Sequence, residues 1–107
     1  MAESAAKPVQ SYYPETFERD MACTGAEWCA WLPAAIGTHH YELRESAAQV
    51  QIGGGVLQLA WQVQPPRVIA LVRLPRLLVR FAFQDVAEAE RLAFMQRFDL
   101  YTQRGGG

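Results

Sequence analysis

His39 and His40, with Glu42 and Glu45 close behind, are the residues of this chain best suited to proton transfer. An imidazole titrates near neutrality, and a nearby carboxylate can orient it, as general acid–base catalysis requires. The rest of an enzyme is hard to assemble around them. Ser4, Ser11 and Ser46 sit in no nucleophile elbow. Gly53-Gly54-Gly55 is not G-x-G-x-x-G, and no helix follows it to cradle a phosphate. A hydrolase-like enzyme using His39 or His40 is therefore a third-ranked reading, and no catalytic residue is assigned.

The soft metal ligands are Cys23, Cys29, His39 and His40. Structural zinc sites space their ligands C-x2–4-C and H-x3–5-H, whereas these are C-x5-C and adjacent histidines. Neither a metal nor a cofactor is expected. With no signal peptide ahead of them, both thiols are expected free in a reducing, cytoplasmic setting.

Arg67, Arg73, Arg76 and Arg80 form a basic run, with no acid from residue 46 to 84. Guanidinium groups on a sheet can hold phosphate or another anion, so Arg67, Arg73 and Arg80 are the candidate ligand-binding residues. RNA-binding sheets also expose aromatic rings for stacking. The alternation pattern sends Trp61, Phe81 and Phe83 to the core face, which disfavours nucleic acid. One Lys among ten basic residues and no Asn suggest the codon bias of a GC-rich bacterium, which weakens a functional reading of the arginines.

These side chains need elements to position them. Pro14, then Phe17 and Met21 four apart, predict a short helix over about 14–22. Thr24 and Glu27 form a T-x-x-E capping box. It opens a second helix with Trp28, Trp31, Leu32, Ala35 and Ile36 on one face and Gly37 as its stop. From 47 to 84 the period becomes two. Gly53–Gly55, Pro65-Pro66 and Pro75-Arg76 divide this stretch into four strands. In the resulting meander Trp61 faces Ala70, which faces Phe81, and Leu59 faces Val72. Val68, Ala70, Val72 and Leu74 then share the core face. Ile69, Leu71 and Arg73 share the other face with Leu78 and Arg80. A short strand near 41–44 is a further option. A last helix, about 86–101 with Asp85 as N-cap, is apolar nearly all round and includes Phe94 and Phe98.

The fold class is thus α+β: two N-terminal helices, a four-stranded antiparallel meander and a C-terminal helix. At 107 residues, half of them apolar, the chain can bury about two-thirds of its surface in one domain. That domain is placed at 12–104, between a disordered arm, 1–11, and a flexible Gly tail, 105–107. Net charge is −1. It divides unevenly, with the first 53 residues acidic and the remainder basic. No apolar stretch suits a membrane span, and no membrane partner is expected. Leftover apolar surface at Ile69, Leu71, Leu78, Phe94 and Phe98 marks an interface, and twofold self-association is the simplest way to cover it. The leading reading is a bacterial-type, non-enzymatic protein-interaction module that forms a homodimer. The alternative is a binder of a small anion or RNA.

Overall fold

The computed structural model describes residues 12–102. Five strands and two helices follow in order: β1 (Thr16–Met21), α1 (Gly25–Ile36), β2 (Tyr41–Leu43), β3 (Ala47–Ile52), β4 (Gly55–Ile69), β5 (Val72–Gln84) and α2 (Glu88–Thr102). They build one antiparallel sheet in the order β1-β5-β4-β3-β2. The fold is α+β, and it differs in detail from the sequence expectation.

The α1 boundaries follow from its caps. The Thr24 hydroxyl accepts from the Glu27 amide at 3.0 Å, and the Glu27 carboxylate accepts from the Thr24 amide at 2.9 Å. Gly37, at φ +75°, ends the helix by donating to the Pro33 carbonyl. Trp28, Leu32, Ala35 and Ile36 are buried. Gly53 and Gly54 turn β3 into β4, with Ile52 opposite Gly55. A side chain at Gly55 would strike the carbonyl oxygens of Gln84 and Asp85 at 2.2–2.3 Å, so the turn from β5 towards α2 requires glycine there. Asp85 does not cap α2. It stands at φ +59° three residues before the helix begins, a conformation Asp tolerates better than most residues.

The expected first helix is instead the edge strand β1, paired to β5 from Thr16↔Ala82 to Met21↔Leu77. A spacing of four satisfies a period of 3.6 and a period of two alike, so Phe17 and Met21 could not choose between them. The residue between them on that face is Arg19, whose charge hid the alternation. Its guanidinium is neutralised by Asp99 of α2, which also accepts from the Tyr13 hydroxyl. Arg19 lies over the rings of Phe17 and Phe81, at 5.5 and 5.4 Å.

The larger correction concerns residues 55–84. They form one long hairpin rather than three strands of a meander. Its turn is Ala70-Leu71, closed by Ile69↔Val72. Trp61 stands opposite Val79, Leu59 opposite Phe81 and Leu57 opposite Phe83. Pro65 and Pro66 lie in a bulge between the pairs Gln64↔Arg76 and Arg67↔Leu74, with Pro75 opposite. Proline lacks a ladder donor, so it belongs on an edge or in a bulge. Here the flanking strands have already ended. The last β3–β4 pair is Ala47↔Ala60, and the last β1–β5 pair is Met21↔Leu77.

Both helices cover one face of the sheet. The core there includes Trp28, Leu32, Leu57, Leu59, Leu77, Phe81, Phe94, Met95 and Phe98. The opposite face carries Glu18, Gln49, Gln58, Gln62 and Arg80. It is more polar than expected, because Ile69 and Leu71 are not on it.

Candidate interaction site

Beyond Trp61 on β4 and before Leu77 on β5, the hairpin leaves the sheet and projects as a two-stranded arm. From Leu77 to the turn, five residues at ~3.3 Å each carry it about 17 Å. Its side chains have run out of core. Leu71 is 100 % exposed and Val63 74 %, while Val68, Ile69 and Val72 are each more than half exposed. The turn is apolar throughout, and Ala70 holds φ +53°, where glycine is the easier residue.

The arm is also basic. Arg67 stands opposite Leu74 and Arg73 opposite Val68, and neither makes an ion pair with a described residue. Arg76, at the base, meets Asp20 at 2.7 Å, and this guanidinium holds the Asp20 carboxyl below its ordinary value. Arg80 lies back on the open sheet face, opposite Glu18 in register and bonded to it at 2.7 Å. Arg73 and Arg80 therefore do not share a face. They are seven residues apart on one strand, and alternation sends them to opposite sides.

Of the expected interface residues, Ile69 and Leu71 form the arm's tip, and Leu78 is half-buried on the open face. Phe94 and Phe98 are buried in the chain's own core, where their rings meet Phe83 and Phe81, so they offer nothing to a partner. Their helix is apolar on several sides because it packs on both the sheet and α1.

At the arm's base a groove of about 430 Å³ lies against the start of α1, lined by Cys23, Thr24, Val63, Pro66, Arg73 and Pro75. Burial, and then Glu27, push the Cys23 thiol up to about 11, away from reactivity. Cys29 is also free and half-buried. His39 Nδ1 lies 3.0 Å from the Gln51 carbonyl oxygen, and its ring sits edge-on to Phe94 at 5.3 Å. These contacts tie the α1–β2 connection to the core. Among the described residues no three of the His, Cys, Asp and Glu side chains come together as a metal site would need.

Sequence reasoning missed the contacts joining the chain's two ends. They are Arg19 and Tyr13 on Asp99, and buried Arg91, which donates to the carbonyls of Tyr13 at 3.0 Å and Val86 at 2.8 Å. The one available signal was a charge inside each apolar pattern, Arg19 in β1 and Asp99 in α2. Comparison with protein-family models, curated proteins and solved structures finds no match, so the site is read from its own chemistry.

Proposed function

We propose that this chain is a non-enzymatic interaction module whose contact element is the β4–β5 arm. The observation that carries the reading is the fully exposed, wholly apolar turn, held out by a ribbon that gives the core nothing. Large exposed apolar patches on soluble domains commonly mark contact surfaces. The three prolines remove backbone donors from the arm, which blunts strand-to-strand addition and leaves side-chain contact as its mode. The test is a trimmed chain in which Asn-Gly joins Gln64 directly to Arg76, closing the hairpin with a two-residue turn. Association of the full chain with its partner should be lost in the trimmed chain. Retained association would place contact elsewhere.

A second reading is self-association through the same tip, as a twofold dimer, favoured by the apolar side chains of Ile69, Leu71 and Val72. Light scattering at rising concentration should then give a mass above 12.0 kDa, and Leu71→Asp should return it to monomer. Arg67 and Arg73 weigh against close side-by-side pairing of two arms, because it would crowd like charges. They also keep anion binding open as a property of the arm.

A further inference from the structure

We infer that the arm docks on the surface of an anionic lipid bilayer, its turn entering the headgroup region and its arginines lying against the phosphates. This rests on the arm being the contact element.

The order of chemistry along the arm matches the layers of such a surface. Ile69, Ala70, Leu71 and Val72 form the leading edge, and all four are exposed. Directly behind come the pairs Val68↔Arg73 and Arg67↔Leu74, and behind the bulge Arg76. Two strand steps separate Leu71 from Arg73, about 7 Å. Apolar faces that lie in a membrane interface bury ~5–10 Å. Arginines at that depth keep their heads at the phosphates while their stems remain among apolar atoms. No acid occurs from residue 46 to 84, and Asp20, the carboxylate beside the arm's base, is already paired with Arg76. The arm therefore presents positive charge to an anionic leaflet, which attracts each such residue.

The backbone fits as well. In a low-dielectric layer unpaired amides are costly. The strands pair alternate residues across the ribbon and turn the remaining amides outward, which suits the hydrated headgroup layer and not the hydrocarbon, and Pro65, Pro66 and Pro75 carry no N–H to leave unpaired. Among the described residues no helix is long and apolar enough to cross a membrane; the inferred contact is peripheral, made by one hairpin. Nucleic acid would use the arginines but gives the apolar turn no counterpart. The aromatic rings of β4 and β5, Trp61, Phe81 and Phe83, are buried and offer the arm no platform for stacking on bases.

The experiment is co-sedimentation of the full chain with vesicles of phosphatidylcholine alone, and of phosphatidylcholine with one-third phosphatidylglycerol. Binding to the anionic vesicles should be at least tenfold stronger. Leu71→Gln, at a fully exposed position, should weaken it several-fold without changing the circular dichroism spectrum. Arg67→Gln with Arg73→Gln should erase the preference for phosphatidylglycerol. Equal binding to both vesicles, or none to either, overturns the inference, as does binding that Leu71→Gln leaves intact. Binding of a single-stranded RNA that disappears with the double arginine variant, beside no vesicle binding, overturns the lipid assignment while keeping the arm as the contact element. Vesicle binding retained by the trimmed chain overturns both.

Discussion

Arg19 on β1 and Asp99 on α2, eighty residues apart in sequence, meet through two hydrogen bonds in a setting where their side chains are 22 % and 12 % exposed. This pair locks the edge strand to the last helix. Removing one partner of a buried pair strands the other charge, at about 3–5 kcal/mol. Arg19 keeps some contact with water, so Asp99→Ala should cost roughly 2–4 kcal/mol, still in the range of a disrupted buried pair, as read by urea unfolding. A loss under half that would show that water already screens the pair.

Tyr13, buried and bonded to the same carboxylate, makes stability depend on alkaline pH. Burial, and then the hydrogen bond to Asp99, push the Tyr13 phenol from 10.0 up to about 12. A pKa raised in the folded state gives stability that is complete below about pH 10 and lost as pH rises towards about 12. The urea midpoint should therefore fall more steeply over that window in the native chain than in Tyr13→Phe. Parallel curves would place the alkaline loss elsewhere.

Trp61 and Val63 point to the same side of β4, yet one is buried and the other 74 % exposed, because the sheet ends between them. Trp61→Ala should cost about 3–5 kcal/mol, as large aromatics in cores do. Val63→Ala should stay within about 0.5 kcal/mol, as surface changes do. Comparable losses at both positions would mean that the core continues into the arm.

Much of the helix-and-hairpin content was legible. The Thr24–Glu27 box and Gly37 marked α1, the glycines marked the β3–β4 turn, and alternation marked which side of β4 and β5 is apolar. The hairpin's turn was not. Pro65-Pro66 and Pro75-Arg76 are strong turn signals, and Ala70-Leu71 is none, because alanine and leucine rarely take a turn's positive φ. Prolines are tolerated in strands only where neighbouring strands have ended, and that depends on the lengths of β1 and β3. Misplacing the turn also misassigned the arginines. Arg67 and Arg73 lie together on the arm, but their grouping with Arg80 depended on a turn that does not exist.

Ala70 gives the local test of that turn. Left-handed backbone costs a non-glycine residue roughly 1–2 kcal/mol. Ala70→Gly should thus slow amide exchange at Val68 to Val72 by about fivefold, corresponding to ~1 kcal/mol, with global stability nearly unchanged. Faster exchange would contradict a positive φ at this position.

On the proposed function, the projection formed by residues 65–75 serves contact and not the fold. The most direct test is urea unfolding of the trimmed chain in which Asn-Gly joins Gln64 to Arg76. The arm buries little, so the trimmed chain should unfold cooperatively with stability within about 1 kcal/mol of the full chain, the scale of changes outside a core. In a meander these residues would supply a core strand, and their removal would leave a non-cooperative or unfolded chain. That result would contradict a projecting arm.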